Sequence, residues 1–320
     1  MKEEVKLSIV IPAHDEEDSI ERCVKACLDQ ALVPYEIIVV NDGSTDKTRK
    51  IVERLAKDNK NLKLLNFASA HSAAFSRNRG AEFANGDVIL FIDADAIIED
   101  RLLVQKIVDK FKDKEINAAV CTVVGEYKTF IQKCQLVRAI MSSIYLKTAK
   151  VRLEYVNCIR KKVFKEMRGF DEEIFYYEDR EFGERVNKEY KINTIPTKIV
   201  HNDPSTFWET IRQARYVGKG VASYNWVLKN PLALLYPGYP FFWLIFAALI
   251  FLVFFNRLFL YIVATLFLIL LIETAIAYYY SKMFLPSLFF VFFLSPLRAT
   301  IIVYSFLRVR IKGLFSAKIN

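Results

Sequence analysis

Five short apolar runs in the first 125 residues are each separated from the next by a helical pattern, and this alternation decides the fold class. Residues 7–12, 35–40, 62–65, 87–92 (DVILFI) and 118–124 read as strands; residues 17–31, 47–58, 72–85 and 101–112 carry helical spacing. Unbroken Val/Ile runs, without polar alternation, belong to strands covered on both faces, which means a mostly parallel sheet with helices above and below. In such sheets ligands bind outside the carboxyl ends of the strands, near a switch in strand order. Chemistry is therefore expected just after each strand.

Residues 126–230 are less regular. Residues 129–149 have helical spacing with polar and apolar faces, 157–160 read as a strand and 179–191 as a helix. A long helix over 205–228 mixes Phe207, Trp208, Tyr216, Tyr224 and Trp226 with Arg212, Arg215 and Lys219. Aromatic and basic residues just ahead of an apolar segment suit a helix lying in the headgroup region of a bilayer; packing against the rest of the chain is the alternative.

The last ninety residues differ in character. Residues 231–320 hold seven Lys and Arg against the single acid Glu273, so they carry +6 of the net +9. Residues 241–255 are uncharged, Asn256 and Arg257 interrupt, 258–280 follow with only Glu273, and 283–304 are apolar apart from Arg298. Such runs read as two to four membrane segments. The basic tail (Arg308, Arg310, Lys312, Lys318) favours an even number, which keeps it on the cytoplasmic side. The near balance of charge in the first 230 residues argues against a nucleic-acid partner. The opening MKEEVKLSIVIP has no charged-then-apolar leader and enters a strand directly, so the front half is expected in the cytoplasm. Five cysteines, without a C-x-x-C or a Cys/His cluster, suit a reducing compartment; Cys23 and Cys27, one helical turn apart, read as packing, with metal or redox use the alternative.

Polar residues follow the strands as expected. Pro12-Ala13-His14-Asp15-Glu16 follows the first, and Asn41-Asp42-Gly43-Ser44-Thr45-Asp46 the second. There Gly43 permits a tight turn, Asp46 can cap the next helix, and Asp42 is left to accept from a base N–H or a ribose hydroxyl. Ser76-Arg77-Asn78-Arg79-Gly80 lies on the third helix; Arg77 can reach phosphate or sugar oxygens, and Arg79 reads as solvent-facing. Asp93-Ala94-Asp95 follows VILFI. Two carboxylates at i and i+2 beyond a buried strand can share a hard divalent cation that also takes diphosphate oxygens; a solvated loop or helix cap is the alternative. Glu178-Asp179 opens the helix DREFGERV, where acids are also favoured by the helix dipole. His201 ends the strand-like KIVHND.

In this order, SIVIPAHDEEDSI, EIIVVNDGSTDKT, AFSRNRGAEFANGDVILFIDADA and GFDEEIFYYEDREFGERV resemble the inverting nucleotide-sugar glycosyltransferases of family two, which have the GT-A fold. The resemblance spans roughly residues 5–225. It implies a GT-A domain over about 1–230, with a nucleotide-sugar half to about 125 and an acceptor half beyond it; the apolar runs themselves make 231–320 a membrane domain. It further implies that Ala13, Glu16 and Asp42 cradle the nucleoside, that Arg77 and Asp93 lie near ribose or diphosphate, and that Asp95 binds Mg or Mn. His201 is a candidate further metal ligand, as a later His is in many GT-A enzymes, although a lone His is more often structural. The Glu-Asp pair of the family supplies the general base, which carries over to Asp179 with Glu178 beside it. The family often has Asn where this chain has Asp15. Asn157, Arg160 and the Gly169-Phe170 turn resemble the sugar-side wall. Gln213-Ala214-Arg215-Tyr216 is one residue short of the Q-x-x-R-W signature of processive synthases and lacks its Trp.

The expected function is transfer of a sugar from a nucleoside diphosphate sugar to a hydroxyl of a lipid-linked glycan, by a multi-pass cell-membrane protein with its catalytic domain in the cytoplasm. The alternative is a polyprenyl-phosphate (dolichyl-phosphate) sugar synthase, whose phosphate acceptor is already ionised and needs no base. The sequence leaves the sugar, the base, the acceptor and the oligomeric state open.

Overall fold

The computed structural model describes residues 5–125, 127–148, 156–174, 178–201, 204–223, 248, 258–298, 300, 301 and 304. Among these, contacts divide the chain into two compact units, residues 1–125 with 153–202, and residues 126–152 with 203–320. The apolar run at 241–255 apart from residue 248, the Asn256-Arg257 break, Tyr176-Tyr177, Tyr224, Trp226 and the basic tail lie outside the described residues.

The first unit is a mixed sheet clothed by helices. In chain order it runs β1 (Leu7–Ala13), α1 (Ile20–Leu28), β2 (Glu36–Asp42), α2 (Thr48–Asp58), β3 (Leu62–Phe67), α3 (Ala73–Phe83), β4 (Val88–Phe91), β5 (Ala96–Ile98), α4 (Leu103–Phe111) and β6 (Ala118–Gly125). After a helix of the second unit, α5 (Phe130–Thr148), it resumes with β7 (Cys158–Arg160), α6 (Lys161–Glu166), α7 (Glu178–Glu189) and β8 (Ile192–His201). The strands lie in the order β3-β2-β1-β4-β7-β6-β8-β5. Pairings β3–β2, β2–β1, β1–β4 and β6–β8 are parallel; β4–β7, β7–β6 and β8–β5 are antiparallel. The expectation of a mostly parallel sheet therefore holds for its first half, while β7 and β5 introduce antiparallel joints.

Period-two alternation distributes the core. Leu7, Ile9 and Ile11 of β1, with Ile37 and Val39 of β2, face α1, α2 and α4, where they meet Cys23, Val24, Val52 and Ile107. Val10, Ile38 and Val40 face the other way, onto Ala74 and Ala81 of α3, Phe164 of α6 and Phe182 of α7. Both faces of β1, β2 and β4 are dry, which is why the sequence shows runs rather than alternation there. Cys23 and Cys27 are buried and free, as expected for packing cysteines. Gly80 lets α3 approach the sheet: a Cβ there would stand 2.3 Å from Val10 Cγ1 and 3.1 Å from Val40 Cγ2.

Chain reversal falls between β1 and β4. From β1 the chain steps outward to β2 and β3, then crosses back to β4 on the opposite side of β1. The carboxyl ends of β1, β2, β4 and β8 all face the same rim, since two antiparallel joints through β7 restore the direction at β6 and β8.

The second unit is helical. It contains α5, α8 (Phe207–Ser223), α9 (Leu258–Ser281) and α10 (Phe284–Phe289), which continues into a π-helical turn at Phe290–Leu294. Cys134 and Val137 of α5 pack with Leu270 and Ala277 of α9 and with Phe290, Val291 and Leu294. At the start of α8, Thr206 Oγ1 accepts from the Glu209 N–H while Glu209 Oε2 accepts from the N–H groups of Ser205 and Thr206, a reciprocal cap. Phe207 and Trp208 of this helix are exposed. Within α9, Val263–Ser281 is the one stretch among the described residues long and apolar enough to cross a membrane; Phe267, Leu268, Leu271 and Ile272 are exposed on it.

Candidate active site

Two loops at the rim are stitched together by side chains. Asp15 has φ +54°, a left-handed conformation that Asp and Asn tolerate better than other residues. Its Oδ1 accepts from the Thr45 N–H at 2.7 Å, and its own N–H donates to Ser44 Oγ at 3.0 Å. The carboxylate performs this tethering without an amide. Gly43 (φ +65°) turns the partner loop, and a Cβ there would lie 2.4 Å from the backbone at Ser69 and Ala70. Asp46 Oδ1 accepts from the Thr48 N–H at 2.9 Å, from one position further out than expected, since Lys47 holds the N-cap of α2.

Ala13 ends β1 and is buried against the core, so it shapes the rim through its backbone position. Glu16 is half-buried, and Ser19 Oγ donates to its Oε2 at 2.5 Å. Burial pushes its pKa up to about 7; the Ser19 bond opposes the rise, and the negative fields of Asp95, Asp93 and Asp46 add to it. A carboxyl on β1's loop thus feels both aspartates that follow β4.

Arg77 sits behind those aspartates, nearly buried on α3. Its Nη2 donates to Asp93 Oδ1 at 2.7 Å and its Nη1 to Glu178 Oε1 at 2.5 Å. Phe170 lies under the guanidinium, 5.5 Å from ring centroid to Cζ. One planar cation therefore joins the acid after β4 to the first acid of α7, which lies 101 residues beyond Arg77 in sequence. Burial acts to raise the Asp93 pKa, but Arg77 and His201 outweigh it and hold the carboxyl below its ordinary value. At Glu178 burial prevails: the pKa is raised, with Arg77 opposing and Asp179 contributing to the rise. Asp179 is partly exposed, and its Oδ1 accepts from the Arg180 N–H at 2.8 Å.

Asp95 faces His201, Oδ1 to Nε2 3.2 Å, with both side chains 31% exposed. Antiparallel pairing of Ala96 with His201 brings them together. Among the described residues no three His, Cys, Asp or Glu side chains converge as a ready-made metal cage. One carboxylate oxygen and one imidazole nitrogen, both accessible, nevertheless make a donor pair that suits Mg or Mn completed by ligand oxygens and water.

Asp42 ends β2, and its carboxylate is not left open. His71 N–H donates to Oδ2 at 2.9 Å, and His71 Nδ1 lies 2.8 Å from Oδ1. His14 Nδ1 lies 2.7 Å from the Asp42 carbonyl oxygen. His14 stands in the polar segment over 12–16, whereas nothing in the sequence marks His71 beyond its place after a strand that ends on this rim.

Several neighbours have structural roles. Asn157 pairs its side-chain amide with the N–H and C=O of Cys121, bridging β7 to β6. Arg160 donates to the carbonyl oxygens of Phe111, Asp113 and Ile116 beyond α4. Arg79, read as solvent-facing, is partly covered and paired with Glu82 and Glu172. The structure thus brings Arg77, Asp93 and Glu178 into one network, joins Asp95 to His201, and sets Glu16 within the field of both aspartates.

Known proteins resemble the part of the chain that builds this rim. Residues 8–164 match the family described as Glycosyl transferase family 2. The matched stretch runs from β1 into α6 and takes in Glu16, Asp42, Arg77, Asp93 and Asp95. The chain is similar to an uncharacterized glycosyltransferase YibD of Escherichia coli K12, with 33% identity over 120 residues, covering 36% of this chain and 35% of that protein. It is also similar to the probable glycosyltransferase YdaM of Bacillus subtilis 168, with 28% identity over 226 residues, covering 65% of this chain and 53% of the relative. The chain thus spans about a third to a half of the length of these relatives. Among solved structures, the mannosyltransferase PcManGT of Pyrobaculum calidifontis, in complex with GDP-Man and Mn2+, shares the fold, with TM-score 0.52 and 18% identity over 68% of this chain and 62% of that one.

Proposed function

We propose that the protein is an inverting glycosyltransferase that moves one sugar from a nucleoside diphosphate sugar to a hydroxyl of a lipid-linked glycan at a membrane surface. The observation that carries this reading is the Arg77 fork, which ties Asp93 beside the Asp95–His201 pair to Glu178 beside Asp179. A donor-binding corner and a proton-accepting corner are thereby fixed to each other.

Glu178 is engaged by Arg77, so Asp179 is the carboxylate left to serve the acceptor. It takes the proton of the attacking hydroxyl as that oxygen bonds to the anomeric carbon. The bond from this carbon to the diphosphate oxygen breaks on the opposite face, and its electron pair leaves with the diphosphate. Asp95 and His201 would hold Mg or Mn, which neutralises charge on the leaving diphosphate. That the neighbour PcManGT was solved in complex with GDP-Man and Mn2+ agrees with such a donor and cation. Support for the lipid acceptor and membrane attachment comes from the apolar Val263–Ser281 stretch and from exposed Phe207 and Trp208.

The test is transfer of labelled sugar from a panel of nucleotide sugars, with Mn present, to membrane lipid extracts by the purified full chain. Asp179→Asn should lower kcat by about 100- to 10,000-fold with little change in donor KM. Full turnover by this variant, or label appearing on polyprenyl phosphate and not on a lipid-linked saccharide, would overturn the hydroxyl-acceptor assignment.

A further inference from the structure

We infer that His71 is the base-reading residue of the donor pocket and that Asp42 acts through it. This rests on the nucleotide-sugar reading above and departs from the expectation that Asp42 itself contacts the nucleoside. The Asp42 side chain is 6% exposed, whereas that of His71 is 39% exposed. Both Asp42 oxygens already accept, one from the His71 backbone and one from its ring. The surface that a base can reach is therefore the imidazole.

The ring is held on several sides. It stacks on Phe75, centroids 4.0 Å apart and planes 16° from parallel. Phe67 meets Phe75 edge-on at 5.0 Å and His71 at 6.1 Å. Arg79 covers Phe75, with Cζ 5.0 Å from the ring centroid. A histidine fixed by a carboxylate, a backbone bond and an aromatic stack is preorganised for recognition.

Its chemistry follows from the tautomer. A carboxylate oxygen only accepts, so the proton lies on Nδ1, facing Asp42. In the neutral ring Nε2 is then an acceptor. It selects a base that presents an N–H at the centre of its pairing edge, as uracil does at N3 and guanine at N1. Cytosine and adenine present an acceptor at the matching position and are disfavoured. His71 is thus a specificity-determining residue.

Isothermal titration of the full chain in detergent with UDP, GDP, CDP and ADP, in the presence of Mn2+, tests this. The wild-type chain should bind UDP or GDP in preference to CDP and ADP. His71→Ala should lose about 10- to 100-fold in affinity for the preferred nucleotide, with most of the discrimination. His71→Phe, which keeps a ring to stack on Phe75, should lose discrimination equally while melting like the wild-type chain. Asp42→Asn should weaken binding in the wild-type background and add little to His71→Ala. Unchanged affinity and selectivity in His71→Phe overturn the inference while leaving the donor reading intact. Failure of the wild-type chain to bind any of the four overturns both.

Discussion

At the scale of single residues the site depends on a forked cation. Arg77 reaches Asp93 and Glu178 with two different nitrogens, which a lysine ammonium on a flexible stem cannot reproduce with the same planarity. Arg77→Lys should therefore retain the fold yet lower kcat by about 10- to 100-fold, measured as single-turnover transfer. Glu16 offers a second check. Its folded pKa of about 7 lies above the ordinary 4.5, so deprotonation costs the folded state more than the unfolded one. The chain should be most stable on this account below about pH 4.5, lose stability as the pH rises towards 7, and carry the full penalty above it. Glu16→Gln in EDTA should remove that slope and raise stability at pH 8 by roughly 1–2 kcal/mol after allowance for solvent screening, read from urea melts at pH 5 and 8. A slope unchanged by the substitution would show that the carboxyl titrates as an ordinary glutamate.

At the scale of elements, α3 is the piece on which both halves of the site converge. It carries Arg77, and its distance from the sheet is set by Gly80. Gly80→Ala must push against Val10 and Val40, so it should destabilise by about 1–3 kcal/mol and lower Tm, and Val10→Ala in the same chain should recover part of the loss. An unchanged Tm would mean that α3 rides further from β1 than described. Elements such as α1, α4 and β4 were legible because dry faces leave unbroken apolar runs and amphipathic helices leave periodic ones. β5 was not: its three residues, Ala96–Ile98, directly follow two aspartates, and their pairing with β8 is non-local. The six-residue α6 was missed for similar reasons. The carboxylates after β1, β2 and β4 were visible as candidates because acids beyond apolar strands are costly without a purpose. The clasp between Asp42 and His71 was not, because it joins a strand end to a loop 29 residues away.

At the scale of the whole molecule, a sheet-bearing unit and a helical unit share one chain. The apolar surface on α9 predicts that the expressed protein sediments with membranes, resists washing by alkaline carbonate and high salt, and is released by detergent. Release by carbonate alone would exclude a spanning segment. Antiparallel pairing of β5 with β8 has a temporal consequence as well. Aspartate 95 and histidine 201 become neighbours only when the last strand of the sheet docks against an edge strand made about a hundred residues earlier. A growing polypeptide on the ribosome can lay down β1 to β4 well before that happens. The Asp95–His201 corner is therefore the last feature of this rim to form, and a half-made chain carries the ends of β1, β2 and β4 without it.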